Sequence, residues 1–385
     1  MVDRETLLGR AADLVPVLRQ RAAETEKLRR IPQETVEDFH AAGILRAAQP
    51  KRFGGYDLDY PVLLDIAAEL GRGCGSTAWC YAIWASHNWV AGMFPEKAQE
   101  EYWADSPDTL SSTSFNPTQA KVTPAEGGYR LNGRWSFSSG CDAATWAILG
   151  GMGPDGLLWF LIPSRDYTID DTWFVSGLRG TGSKDIVIDD LFVPDYRAVP
   201  VVELREARSP GRSIHGTPNF CIPHQTMLAY TLAAPILGMA QGALEAFEEH
   251  MIGRVAYTTG QRMDEEAPVH IRLAEAEAEV HSARLIMRND GIEVFARARR
   301  GELPTLSERA HIRRNQAYVA KLAVRAVDRL FEASGGHALF DTSPMQRFHR
   351  DAHAASHHFG LSWEPIAEEF GRIRLGLEPR NPARI

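Results

Sequence analysis

The chain is short of cysteine, of surplus positive charge and of long apolar runs, and each shortage closes off a class of function. Its four cysteines, Cys74, Cys80, Cys141 and Cys221, include no pair at zinc-ligand spacing. So sparse a set builds no disulfide framework, and reduced thiols are expected. Lys and Arg number 42 against 50 Asp and Glu, a formal charge of −8. No basic stripe is left over to neutralise phosphates, which argues against a nucleic-acid partner. The longest apolar run, MLAYTLAAPILGMA at 227–240, is too short to cross a bilayer and contains Pro235. The first residues, MVDRETLLGR, are charged from the third position on, unlike a signal peptide. A soluble, cytoplasmic protein with no membrane partner is expected.

Nucleotide fingerprints are missing too. GLRGTGSKD at 177–185 is glycine-rich but lacks the P-loop spacing. A strand pattern rather than a helix follows it, so it is not a Rossmann turn either. No nicotinamide site is evident, and there is no internal repeat or low-complexity tract.

What is present falls into zones. Residues 1–107 read as helices with apolar residues at three-and-four spacing, ending in the aromatic AWCYAIWASHNWVAGMF behind a Ser76-Thr77 cap. Over 108–200 the period changes to two, in short runs such as GLLWFLIP and KDIVIDDLFVP, which predicts a β-domain, barrel or sandwich. The stretch 201–224 carries Pro, Gly and Ser without a period and is expected as a loop that shapes a pocket. Helices return over 225–385. The fold class is therefore α+β, mainly helical, with a groove for a cofactor expected at the domain boundary.

Four of the thirteen histidines lie within ten residues, at 349, 353, 357 and 358. His349, His353 and His357 share one helix face at four-residue spacing. Two such histidines can chelate zinc, but no H-E-x-x-H, cysteine set or carboxylate-rich partner set is evident, so a solvated or interfacial face and no metal are expected. His358 falls about 100° off that face. Elsewhere, WSFSSG at 135–140 reads as a strand end whose Ser-Ser-Gly makes a turn. The same hydroxyls and amides suit a planar heterocycle covered by Trp135. Gly335-Gly336 reads as a helix C-cap.

In combination these segments are more specific. WSFSSG, GLRGTGSKDIVIDDLFVP, the Gly-Gly turn and PMQRFHRD follow one another as in the acyl-CoA dehydrogenase superfamily, which the chain resembles over nearly its whole length. The resemblance implies an N-terminal helical domain, a middle β-barrel domain, a C-terminal four-helix bundle, a flavin between them and a homotetramer. Acyl-CoA dehydrogenases carry a glutamate base shortly after the Arg-Asp of that last segment. Aligning Arg350-Asp351 and Gly360 puts Phe359 at its place, and phenylalanine is no base. R-D-x-x-A-x-x-x-H, ending at His358 and followed by FGLSWE, is instead similar to the two-component flavin-dependent monooxygenases on the same fold. CGSTAW at 74–79 and SHN at 86–88 resemble that branch as well.

That resemblance implies an oxygenase component that takes reduced flavin, FMNH2 or FADH2, from a separate NAD(P)H-dependent reductase. With O2 it hydroxylates a small aromatic substrate through a C4a-hydroperoxyflavin. His358 is implied as the base, its titration near working pH suiting the step. Trp79 and His87 flank the phenol, and Ser138 or Ser139 bonds flavin N5. One of Ser112, Thr113 and Ser114 makes a further contact. Trp135, Phe137, Gly335 and Gly336 complete the cofactor set. N- or S-oxygenation, acyl-CoA dehydrogenation and a non-enzymatic metal-binding helical protein stand as alternatives.

Overall fold

In the computed structural model, which describes residues 2–256, 260–382 and 385, the first helix begins where a side chain can take a free amide. Asp3 accepts the Thr6 N–H and opens α1 (Arg4–Leu28). α2 (Gln33–Ala42) stops at Gly43 in the left-handed region. α3 (Pro61–Gly71) is followed by α4 (Gly75–Ala91) and α5 (Glu96–Tyr102). Every residue of α4 is buried, the environment that a helix apolar on all sides requires.

The alternating segment builds β1 (Ser111–Ser114), β2 (Ala120–Ala125), β3 (Gly128–Ser138), β4 (Trp146–Gly153), β5 (Gly156–Pro163), β6 (Thr168–Asp170), β7 (Lys184–Pro194) and β8 (Ala198–Pro200). They form two four-stranded sheets, β1-β4-β5-β8 and β2-β3-β7-β6. β1 runs parallel to β4 and the other neighbours are antiparallel. Leu131, Trp135, Leu149, Phe160 and Ile186 fill the space between the sheets. Among the described residues no strand pairing joins them, so of the barrel or sandwich that the pattern allowed, the unit is a two-sheet sandwich, where the resemblance implied a barrel.

The 201–224 stretch is more ordered than its composition suggests. It holds α6 (Val201–Arg205), α7 (Pro210–His215) and a 3-10 turn at Pro218–Phe220. Tertiary contacts supply the order: the buried Asn219 amide group bonds the Tyr60 N–H, the Asp57 carboxylate and the Leu58 carbonyl. After α8 (Gln225–Leu228) come α9 (Tyr230–Met251), α10 (Ala267–Arg299), α11 (Leu306–Ser334), α12 (Pro344–Ser356) and α13 (Trp363–Arg374). α9 to α12 pack as a bundle, with α13 against α11. The segment Gln225–Met251 is long and apolar enough to cross a membrane, yet its apolar window is 78% buried inside the fold. There α9 packs on both α3 and α4 and binds the two helical regions together.

One glycine ties the sandwich to α4. Gly140 has φ +69°, and a Cβ there would stand 2.5 Å from Trp84 Nε1. Gly140→Ala is expected to cost about 2 kcal/mol through strain and overpacking, read as a lower midpoint in urea unfolding.

Candidate active site

Three distant segments meet at one corner. On α4, Trp79, Ile83 and His87 lie on one face at four-residue spacing. The Trp79 Nε1–H donates to Ser139 Oγ at 3.1 Å, just past the end of β3. The Trp79 ring lies 6.0 Å from that of His358, in the turn after α12. Trp79 and His87 are about 12 Å apart along the helix, with Ile83 between them.

The serines belong to a chain of hydroxyls whose proton directions can be worked out from one end. Thr181 Oγ1–H donates to the Leu178 carbonyl, so Ser183 donates to Thr181 across 2.6 Å. Ser139 in turn donates to Ser183 across 2.8 Å. Ser139 has thereby used its one proton and accepts from Trp79. What remains to it is a lone pair, an acceptor. Ser138 differs: its hydroxyl is fully buried and has no partner. A buried hydroxyl left unpaired costs about 1–3 kcal/mol unless something else bonds it.

The two histidines are in opposite tautomers. His87 donates Nδ1–H to the Ser111 carbonyl at 2.6 Å, so its Nε2 carries a lone pair. His358 accepts the Gly360 N–H at Nδ1, 3.0 Å, so its neutral ring carries the proton on Nε2. Burial holds His87 down to about 4. Burial, then the nearby Arg313 guanidinium, holds His358 down to about 4 as well. Arg313 is kept there by donating to the Gly360 carbonyl at 2.6 Å. The expectation that His358 titrates near neutral pH is thus corrected. It presents an N–H, and His87 presents the acceptor.

His358 is also not on the helix that the spacing suggested. α12 ends at Ser356, and His358 caps the following 3-10 turn instead. Phe359 stacks against it at 4.6 Å with its outer face exposed.

Asp351, unassigned by the sequence reasoning beyond its place in the Arg-Asp pair, anchors the corner. It is buried and accepts the Leu178 N–H at 2.7 Å. Its other oxygen lies 3.0 Å from where a Cβ on Gly75, the first residue of α4, would stand. Burial raises its carboxyl to about 6. Arg350 donates to the Ser176 carbonyl at 2.5 Å and pairs with Glu26 of α1 at 2.6 Å. The Arg-Asp pair therefore ties α12 to α1, to the 177–183 turn and to the start of α4.

Several expected site residues stand elsewhere. Trp135 points into the sandwich core and donates Nε1–H to the Gly150 carbonyl at 2.7 Å; strand alternation turns it inward. Of the other tryptophans, Trp89 donates Nε1–H to the Asn219 carbonyl and Trp103 stacks on Phe53. Alternation along β1 places Thr113 on the face of Ser111, whose hydroxyl meets Tyr102. Ser112 and Ser114 turn to the opposite face, away from His87. Thr113 itself donates to the Ile148 carbonyl. Gly335 and Gly336 follow α11, 22 residues beyond Arg313 and so about 33 Å along the helix from the His358 corner. Phe137 stands beside Ser138 at φ +69°, 67% exposed, with its ring edge-on to Trp173. A register shift in β3 between Trp135 and Ser138 turns it out.

Of the three histidines expected on a solvated or interfacial face, two are interfacial. His349 and His353 close on Asp328 of α11, at 3.3 and 2.7 Å. Sequence spacing shows which histidines share a face but not which helix lies opposite.

The chain matches the family descriptions "Acyl-CoA dehydrogenase, N-terminal domain" over residues 11–105 and "Acyl-CoA dehydrogenase, C-terminal domain" over 230–363. It is 38% identical over 370 residues to the flavin-dependent monooxygenase, oxygenase subunit HsaA, of Rhodococcus jostii (strain RHA1), covering 94% of this chain and 97% of that protein. It is 34% identical over 390 residues to the FADH(2)-dependent resorcinol hydroxylase, oxygenase component, of Rhizobium sp. (strain MTP-10005), covering 97% and 95%. The crystal structure of the HsaA monooxygenase from M. tuberculosis matches the whole of both chains with a TM-score of 0.94 at 35% identity.

Proposed function

Because the chain belongs to the oxygenase components of two-component flavin-dependent monooxygenases, within the acyl-CoA dehydrogenase superfamily, we propose that it hydroxylates a phenol at the Trp79–His87–His358 corner. The observation that carries the assignment of roles is the opposite tautomers of His87 and His358. A separate reductase supplies the reduced flavin. When bound, that flavin would supply the two electrons for the splitting of dioxygen, one atom of which enters the substrate ring while the other leaves as water.

The residues present fit such a group. Ser138 offers a buried hydroxyl with no partner, and Ser139 beside it keeps one acceptor position. Phe137 and Trp173 give the same strand end an apolar rim. Ser138 and Ser139 are proposed to hold the polar edge of the flavin and Phe137 its surroundings. Resorcinol hydroxylase, the FADH(2)-dependent relative, favours reduced FAD.

His87 Nε2 accepts the phenol O–H. A base held near 4 does not strip a phenol beforehand; it accepts the proton as the ring, losing electrons to the incoming oxygen, becomes strongly acidic. His358 Nε2–H donates to oxygen at the far end of the pocket. Trp79 and Ile83, buried between them on the same face of α4, are the apolar groups that would exclude water. Of Ser112, Thr113 and Ser114, Thr113 is proposed as the further contact, supported by the strand face it shares with Ser111.

Both histidines are neutral well below physiological pH, so neither titrates in the working range. Product formed per dioxygen consumed is expected to stay flat between pH 6 and 8 with a phenol panel and excess reduced FAD. A bell-shaped profile centred near 6.5 would contradict the two assignments. His358→Ala is expected to keep reduced-flavin affinity and lose coupling by about ten-fold, the shortfall appearing as hydrogen peroxide.

A homotetramer is proposed for the assembly. Its support is the apolar surface of α10, where Ile271, Leu285 and Ile292 are exposed, beside a groove lined by Tyr318 and Trp363. Gly335 and Gly336, distant from this corner, are proposed to reach a flavin held by another copy. The free cysteines support a cytoplasmic setting.

A further inference from the structure

On the opposite side of α12 from Asp351 lies a second cluster, which the proposed reaction does not use. His349 and His353 are one turn apart, with ring centroids 4.5 Å apart. Asp328, on the facing helix α11, puts Oδ1 at 2.7 Å from His353 Nε2 and 3.3 Å from His349 Nε2. One ligand atom from each of the three lies within 4.8 Å of the others. We propose that Asp328, His349 and His353 form a binding site for a divalent transition cation, of which zinc is the type, that staples α11 to α12.

The geometry is close to what a metal demands. Bonds of about 2.0–2.1 Å in a tetrahedron place ligand atoms about 3.4 Å apart, so the two aspartate–histidine separations need to open by less than an ångström, and the two histidine nitrogens, which lie within 4.8 Å, to settle at the same spacing. Two imidazoles and a carboxylate are a suitable donor set for zinc, cobalt and nickel. The charges nearby leave the site free for a cation. Arg325 and Arg329 on α11 turn to Glu279 of α10, and Arg347 and Arg350 on α12 turn to Glu26. Among the described residues, the ion partners of Asp328 are the two histidines and no arginine or lysine.

The ligands are also held in place. The His349 ring stacks on Phe331 at 4.2 Å and 19°. His357, the third histidine of the face, has its Nδ1 on the His353 carbonyl at 2.7 Å and stands apart from the cluster. All three ligands are half-buried, so one or more coordination positions stay open to water and to the arriving ion.

Isothermal titration of the untagged full chain with Zn2+ tests this, with Co2+ as a spectroscopic probe. One ion per chain is expected, with the visible absorption of four-coordinate Co2+ and a metal-dependent rise in unfolding temperature. His353→Gln and Asp328→Asn should each weaken binding by about ten-fold or more while melting without metal as the wild type does. His357→Gln should bind as the wild type does. Absence of saturable one-site binding overturns the proposal and leaves the cluster an ordinary histidine–aspartate ion pair. So does equal weakening in the His357→Gln variant. Neither result touches the oxygenase assignment, which rests on the other side of the helix.

Discussion

Replacing His87 with alanine is expected to lower hydroxylation by about 10²- to 10³-fold while reduced flavin still binds. The side chain is fully enclosed and its Nδ1–H is committed to the Ser111 carbonyl. Only Nε2 is left, and it carries a lone pair rather than a proton. No other acceptor on that face of α4 can take its place: Ile83 is apolar, and the Trp79 indole N–H is a donor already given to Ser139. His87→Gln keeps an amide oxygen that can accept, so part of the loss should return; His87→Leu, similar in volume, should be as inactive as alanine. Single-turnover product yields with pre-bound reduced flavin separate this from a binding defect. Retention of more than half the wild-type yield in the leucine variant would remove His87 from the chemistry.

The second large effect is on stability. Asp351→Ala is expected to cost about 3 kcal/mol, since it strands the buried Leu178 amide and leaves a void beside the start of α4. Asp351→Asn keeps a carbonyl oxygen for that amide and should be much milder. The two also differ in pH response. Burial raises the folded carboxyl from 3.8 to about 6, so the native state holds this proton more tightly than the unfolded chain does. The stability it contributes is full below about pH 4 and is lost as the pH rises through about 6. Between those values the wild type should lose stability relative to Asp351→Asn, measured by urea unfolding at a series of pH values. A constant difference across that range would mean that Asp351 does not titrate there. Because the Leu178 turn carries Thr181 and Ser183, the alanine variant should also loosen the hydroxyl chain that ends on Ser139.

The helix–strand–helix order was legible because the apolar period itself changes near 108 and again after 224. Sheet closure was not, since strand pairing between distant segments leaves no local trace. The Trp135 placement was within reach: it stands four residues after Leu131 on an alternating strand and before the bulge at 135–138, so it keeps the inward parity of Leu131. At the candidate site, Trp79, His87, Ser139 and His358 could be picked out by motif. Their protonation could not, for His358 depends on Arg313, 45 positions earlier, and on the amide of its own turn. His87 depends on a carbonyl of β1. For the same reason Asp328, on a different helix, was invisible from the histidine spacing.

The most direct test of the account is the fate of oxygen. The full chain, given chemically reduced FAD, a phenolic substrate and 18O2 with neither reductase nor NAD(P)H present, should yield a catechol carrying one 18O atom, detected by mass spectrometry. Unlabelled hydroxylated product, or oxidation of an acyl-CoA by the oxidised flavin in place of hydroxylation, would contradict it.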